Sequence, residues 1–424
     1  MTGKKTGRKR LHKYKDAYGL LCRISNIFCR VVLKKKASSE SIVYPEFLFP
    51  YCIRYPRFIL LIPGIQLIRG FDIIKKSEFT SSRKREHLEI CCEKDIEAGF
   101  SGFDDIRLVH NALPECSLES IDTSVRFLGH NLSSPLFIAA MTGGHPDTLE
   151  VNKNLALAAE HFNIGMGVGS QRAALENPGL EDSFTIVREA APKAFLCGNL
   201  GAIQLVEKGL EWADKAVEMI DAQALCIHLN PLQEAIQPEG DHDSKGCLDA
   251  IGELCRSSKY PVIVKETGCG ISFETAQKLW ASGVSAIDVG GLGGTSWAAV
   301  EAVRAEDANR AEAGRKFSDW GIPTVVSLTE VAGSDRPVIA TGGIRGGIDI
   351  AKAVSLGADL CGMALPLLKP AMNGYDSLAG SIENIQKELA VSMYLTGSGN
   401  IKSLSGARKY ITGITLQMIK SHKI

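Results

Sequence analysis

From residue 135 onward the chain alternates short apolar runs with amphipathic stretches, and each run ends in glycine or polar residues. The runs are "PLFIAAM" (135–141), "IGMGVG" (164–169), "AFLCGN" (194–199), "ALCIHLN" (224–230), "PVIVKE" (261–266), "VSAIDVGG" (284–291), "PVIATGG" (337–343) and "ADLCGMA" (358–364). Between them lie helix-like segments such as "DTLEVNKNLALAAEHF", "GAIQLVEKGLEWADKAVEMI" and "SFETAQKLWASG". Continuous apolar strands alternating with helices predict a parallel sheet covered by helices. Eight such units predict a (β/α)8 TIM barrel. An open doubly wound sheet is the alternative, and eight repeats would make it unusually wide.

In a barrel of this kind the active site is built from loops at the C-terminal strand ends. Those eight ends read "MTGGH", "GSQR", "GNLGA", "HLNPLQE", "KETGCG", "DVGGLGGTS", "TGGIRGG" and "MALPLL", whereas the opposite ends read as ordinary turns such as "ASGVS" and "SLGAD". "ATGGIRGGIDIAKA" is strand, glycine-rich turn, then helix, so backbone N–H groups and a helix N-terminus could converge on a phosphate, with Arg345 adding a bidentate contact. Lys265 and Asn199 end two apolar runs; a lysine there suits an electron-rich ring or a phosphate, because burying an unpaired ammonium is costly. Thr142, Ser170, Thr295 and Ser296 offer hydroxyls; each alone is more often a satisfied turn residue, and their co-location on one barrel mouth is what counts. In "HLNPLQE", Glu234 is a candidate Mg²⁺ ligand. Gln233 can orient a substrate or relay a proton but cannot be an ordinary base. His228 either titrates near neutrality or is a satisfied strand-end histidine. Glu239 and Asp241 support that loop or merely solvate it. "SSRKREH" (81–87) is either a solvated basic turn or a lid over a diphosphate, in line with Arg172.

Composition changes the picture at one end only. Residues 1–36 carry twelve Lys/Arg and one acid in a chain of zero net charge, so the remainder is acidic by eleven. An acidic body argues against nucleic-acid binding. Residues 1–76 read as a basic and apolar extension, poorly ordered, ahead of a barrel with an N-terminal lid segment over 77–424. "RFILLIPGIQLI" within that extension holds only eleven residues after Arg57, interrupted by Pro63-Gly64. A spanning helix needs about 20, so stable membrane insertion is not expected. The twelve cysteines show no C-x-x-C pair; they fit a reduced, cytoplasmic compartment and carry no zinc pattern.

The set "RKREH", "AAMTGG", "GSQRAA", "GNLGA", "HLNPLQEAIQPEGD", "VKETGCGIS", "GGLGGTSWAAVE", "ATGGIRGGIDIAKA" and "GMALP" closely resembles the type 2 isopentenyl-diphosphate isomerases, in order over about residues 77–420. The resemblance implies an FMN-dependent barrel enzyme converting isopentenyl diphosphate to dimethylallyl diphosphate. It implies reduced FMN as acid and base, Mg²⁺, and NADPH or NADH to reduce the flavin. By motif position it implies FMN contacts at Met141, Thr142, Gly143, Ser170, Asn199, Lys265, Thr295, Gly343, Ile344, Arg345, Ala364 and Leu365. Substrate contacts fall on Arg83, Lys84, His87, Ser170, Gln171, Arg172, His228, Asn230 and Gln233, with Gln233 and His228 at the reacting centre and Glu234 as Mg²⁺ ligand. A homo-tetramer or homo-octamer is implied as well. The chain departs from the pattern at residues 1–76, at Arg85, where an acid is common, and at Ser244, where an aromatic is expected. Rival flavin barrels need a histidine base or a nucleophilic cysteine in the loops after the sixth and seventh runs, and "DVGGLGGTS" and "TGGIRGG" hold neither.

Overall fold

The computed structural model describes residues 83–333 and 335–421. The reading of residues 1–76 as an extension lies outside them. Each apolar run forms a strand: β1 Leu136–Ile138, β2 Gly165–Gly167, β3 Leu196–Gly201, β4 Ala224–Leu229, β5 Val262–Glu266, β6 Ala286–Asp288, β7 Val338–Thr341 and β8 Leu360–Met363. They pair in parallel in chain order, and β8 pairs with β1 to close the barrel. Closure rules out the open doubly wound sheet.

The strands read as apolar throughout because both faces are covered. Residues such as Leu136, Ile138, Leu225 and Val264 face the helices and join the main core. Side chains alternate along a strand, so every second residue enters the barrel. The lower inward layer is apolar: Phe137, Cys197, Ala224, Cys226, Ile263, Ala286, Ile339 and Leu360 cluster with Phe127 and Leu132. The last two come from a hairpin, Val125–Phe127 against His130–Leu132, that plugs the N-terminal end. Two residues further along, the same inward positions hold Ala139, Asn199, His228, Lys265, Asp288, Thr341 and Gly362. Register sets His228 beside Lys265 and Lys265 beside Asp288. The barrel interior therefore changes from oil to polar within one pleat.

One predicted helix is two. The stretch 201–220 breaks into Ala202–Lys208 and Leu210–Met219 at Gly209, whose φ of 70° and ψ of −167° suit only glycine. Helical residues 83–93 precede the barrel. A short antiparallel pair, Ile106–Leu108 with Lys409–Ile411, joins the early and late parts of the described chain. Among the described residues no helix is long and apolar enough to cross a membrane.

Candidate active site

A cavity of about 210 Å³ opens at the C-terminal strand ends, while its neighbour measures about 10 Å³. A single water needs roughly 10–15 Å³, so only the first admits an organic ligand.

Its floor is the polar inward layer. Asn199 Nδ2 donates to the Val168 carbonyl at 2.9 Å, which aims Oδ1 at His228 Nδ1, also 2.9 Å away. The His228 proton therefore sits on Nδ1, leaving Nε2 as an acceptor. Burial, then Lys265, Lys84, Arg172 and Arg83, holds this imidazole well below its usual range. Of the two readings of His228, the geometry agrees with the satisfied strand-end histidine and not with titration near neutrality: it is neutral because it faces desolvation and four cations together. Lys265 is 9% exposed, with Nζ 3.2 Å from the Glu266 carbonyl. Glu266 Oε2 accepts from the N–H groups of Thr267, Gly268 and Cys269 at 2.6, 2.7 and 2.5 Å, while burial pushes its carboxyl up to about 7. Thr142 Oγ1 is buried with no protein partner. A side chain at Gly169 would put Cβ 2.4 Å from the Thr142 carbonyl, so this close approach of β1 and β2 loops requires glycine.

The wall over β6, β7 and β8 is backbone. Gly290, Gly291, Gly294, Gly342, Gly343 and Ile344 line it. Gly342 has φ 115°, and a Cβ there would lie 2.2 Å from the Gly291 carbonyl. The helix after β7 departs from expectation. Its Gly347 N–H donates to Glu388 Oε2 at 2.7 Å, so an acid from a later helix already occupies that N-terminus. Arg345 is likewise engaged, donating to the Glu97 carboxylate and, at 3.1 Å, to the Ile344 carbonyl. The helix Leu365–Asn373 after β8 has no side-chain cap, and Ala364, Leu365 and Pro366 at its start line the cavity. Pro366 has no N–H, and the Leu367 and Leu368 N–H groups donate to the Ala364 carbonyl at 2.9 and 3.1 Å, so the Leu365 N–H and the Gly342–Ile344 turn are the backbone groups left for an anion. Lysine and asparagine floor, orphaned hydroxyl, glycine wall and uncapped helix end fit a flavin mononucleotide.

The loop after β4 forms the opposite rim. Glu234, 9% exposed, accepts from Asn230 Nδ2 at 2.9 Å, Gln237 Nε2 at 2.5 Å and the Asp241 N–H at 2.8 Å. A carboxylate offers about four acceptor sites, so one remains. Among the described residues no group of three His, Cys, Asp or Glu could cage a metal. The arrangement fits a cation held by one carboxylate and by ligand phosphates. Asp241 Oδ2 also takes Arg172 Nη1 at 2.7 Å and Gln204 Nε2 at 3.2 Å, and Arg172 Nε reaches Glu176 at 3.0 Å. Asp241 thus aims the guanidinium, and Glu239 pairs with Arg83 at 3.5 Å.

Helical residues 83–93 cover the mouth. Arg83 Nη1 lies 3.4 Å from Gln237 Oε1, and Lys84 lines the cavity. Burial, with Arg83 and Arg172 adding, pushes the Lys84 amine down to about 7. His87 Nε2 donates to Glu301 Oε1 at 2.9 Å, and Gln233 Nε2 reaches the same oxygen at 3.3 Å. Burial pushes His87 down to about 4, against the pull of Glu301. Burial opposes ionisation of Glu301, but His87 and Arg304 together hold it as a carboxylate, down at about 2.

Of the residues that the resemblance places at the site, all but Gln171 and Gly143 line this cavity. Gln171 is fully buried behind the floor: Nε2 donates to the Ala216 carbonyl at 2.8 Å and Oε1 accepts from Asn199 N–H at 2.8 Å. It fixes the floor strand and does not reach a substrate. Gly143 has φ 138° and its Cβ direction points at Phe184, so it shapes the turn below Thr142. Ser296 spends its hydroxyl on the Ala299 N–H as a helix cap. Sequence reasoning missed Glu301, Arg304 and Glu266. Glu301 had one signal, an acid four residues after Trp297 on an otherwise apolar helix face.

Comparison with known proteins follows the same lines. A family model described as FMN-dependent dehydrogenase matches residues 90–181 and 206–411. The isopentenyl-diphosphate delta-isomerase of Methanoregula boonei is 62% identical, over 81% of this chain and 97% of its own. Those of Methanosarcina mazei and Halobacterium salinarum are 51% and 50% identical, over 80% of this chain and 94% and 96% of theirs. Among solved structures, the flavin-binding domain of baker's yeast flavocytochrome b2 aligns with TM-score 0.57 at 20% identity, covering 77% of this chain and 79% of that one. A mandelate oxidase mutant aligns with TM-score 0.52 at 14% identity, covering 80% and 100%; at these identities the likeness concerns the fold. The chain belongs to the FMN-dependent dehydrogenase family and, within it, to the isopentenyl-diphosphate delta-isomerases.

Proposed function

We propose that this protein isomerises isopentenyl diphosphate to dimethylallyl diphosphate, with FMN, Mg²⁺ and NADPH or NADH as the flavin's reductant. The observation that carries the reading is one cavity with flavin-type donors on its floor and Lys84, His87, Arg172, Gln233 and Glu234 on its rim. An alkene is a poor base, and the reduced flavin, when bound, supplies the acid and base beside it. Lys265 and Asn199 would hold the ring. The Gly342–Ile344 turn and the Leu365 N–H would hold its phosphate.

Lys84, Arg83 and Arg172 would neutralise the diphosphate, and Glu234 would hold Mg²⁺, which would supply further positive charge there. Neutral His228 accepts through Nε2 and adds no competing charge at the reacting carbons. Gln233, fixed by Asn230 at 3.1 Å and by Glu301, orients the alkene or passes a proton to the Glu301 carboxylate. His87, with Nε2 committed to Glu301, keeps Nδ1 free as an acceptor. Residues 83–93 exclude water from the pair. The glycine-rich loops carry no histidine or cysteine at the ring, which disfavours a hydroxy-acid oxidation at this cavity. The same reading makes the protein a cytoplasmic homo-tetramer or homo-octamer, supported for compartment by the free thiols of the described cysteines.

The test is conversion of isopentenyl diphosphate by the purified protein with FMN, NADPH and Mg²⁺, each omitted in turn. Product that requires all three is expected. Bound FMN with no product would sink the isomerase reading while keeping the flavin barrel. Light scattering of the same sample checks the oligomer.

A further inference from the structure

Arg304 ends the helix Trp297–Arg304 and does not line the cavity, yet its side chain is only 12% exposed. A guanidinium so far from water needs carboxylate partners. It has three, from three segments. Nε donates to Glu86 of the lid helix at 2.9 Å, Nη1 to Glu301 at 2.5 Å, and Nη2 to Glu239 of the loop after β4 at 3.2 Å. Behind each carboxylate stands a rim residue. Glu301 receives His87 and Gln233, Glu239 pairs with Arg83, and Glu86 is the chain neighbour of His87.

We infer that Arg304 is a positioning residue for the isomerisation: it fixes the Glu301 carboxylate, and through it His87 and Gln233, and it ties the lid helix to the loop after β4. The kinetic part of this inference rests on the proposed function; the binding part rests on the geometry alone. Glu301 is 0% exposed, and a carboxyl buried without a cation takes up a proton. His87 Nε2–H and the Gln233 amide converge on Oε1 while Arg304 Nη1 holds Oε2, so protonation of Glu301 would remove the negative charge that strengthens both rim contacts. Arg304 keeps that charge in place. The groups facing it are Glu86, His87 and Arg83 from the lid, Glu239 from the β4 loop, and Glu301 from its own helix. The planar fork of arginine directs its N–H groups in fixed directions, so a lysine can reach one of these carboxylates and not all three.

The test uses the full chain loaded with FMN, carrying Arg304→Gln, Arg304→Lys or Glu86→Gln. Arg304→Gln is expected to raise KM for isopentenyl diphosphate and lower kcat, each by about tenfold or more. Arg304→Lys should restore most of kcat, because one ammonium can serve Glu301, while KM stays raised. Glu86→Gln should move KM without kcat. FMN affinity, read by quenching of flavin fluorescence, should not change in any variant. Calorimetric titration with inorganic pyrophosphate and Mg²⁺, which needs no turnover, should show about tenfold weaker binding for Arg304→Gln.

An Arg304→Gln protein that melts earlier but keeps kcat, KM and pyrophosphate affinity within about twofold would overturn the inference and leave Arg304 a stabilising ion pair. A lysine variant no better in kcat than the glutamine variant would overturn the link through Glu301. If the wild type turns over no isopentenyl diphosphate, the functional reading fails, and the pyrophosphate titration still decides the case of Arg304.

Discussion

Glu301 Oε1 accepts from His87 and Gln233 at once, and the carboxylate held ionised by His87 and Arg304 is the stronger acceptor for both. This makes Gln233 a group of fixed orientation. Gln233→Ala should lower kcat by about a hundredfold or more with KM changed far less, since an interaction used at the reacting centre is lost; steady-state kinetics checks it. Lys84 gives a pH prediction. Its amine is pushed down to about 7 by burial and then by Arg83 and Arg172. The unfolded chain therefore holds this proton more tightly than the folded one, so between pH 7 and about 10 this group makes the ligand-free protein more stable as pH rises. Affinity for inorganic pyrophosphate should fall over the same window, as the amine loses its charge. Calorimetry at several pH values tests both signs, and pyrophosphate affinity that rises from pH 7 to 9 would refute the assignment. The residue types at these positions were readable from the chain. Their protonation was not, because the cations lowering His228 come from residues 83, 84, 172 and 265, which adjoin only after folding.

At the scale of elements, strand periodicity does most of the placing. The inward positions of β3 to β7 run from Cys197, Cys226, Ile263, Ala286 and Ile339 to Asn199, His228, Lys265, Asp288 and Thr341, two residues later in each case. That pattern lies in the sequence, and the closed barrel makes it a floor. The helix after β7 shows where local reading fails. Glycine-rich turn followed by helix predicts a phosphate on the helix N-terminus, but Glu388, 41 residues on, holds the Gly347 N–H. Glu388→Ala should cost about 1 kcal/mol of stability as a lost cap and leave FMN affinity nearly unchanged. A thermal melt and a flavin titration read the two effects. Loss of FMN binding would show that the flavin phosphate depends on that helix after all. Gly209 is a similar case at smaller scale: a glycine inside a helical pattern became a break because its backbone adopts φ 70°.

For the whole molecule, the relatives align over about four-fifths of this chain and nearly all of their own length. A chain beginning at residue 77 should therefore retain kcat within about twofold, since the relatives align without the first 76 residues and a domain with its own core folds alone. A kinetic comparison with the full chain checks this, and a tenfold loss would give residues 1–76 a part in the reaction. Eight alternating repeats fixed the barrel in advance because each βα unit is written locally, in hydrophobic period and in turn glycines. Position after a strand likewise marked the mouth, while Arg83, Lys84 and His87 come from the helix ahead of the barrel. The network of Arg304 with Glu86, Glu239 and Glu301 was invisible, as was the burial of Gln171 behind the floor. The network depends on the lid helix meeting a loop some 150 residues later and a helix some 215 residues later, and the burial of Gln171 on a helix 45 residues on. Apolar periodicity records which face of an element is buried; it carries no record of which distant charge will stand opposite, and that pairing exists only once the barrel has closed.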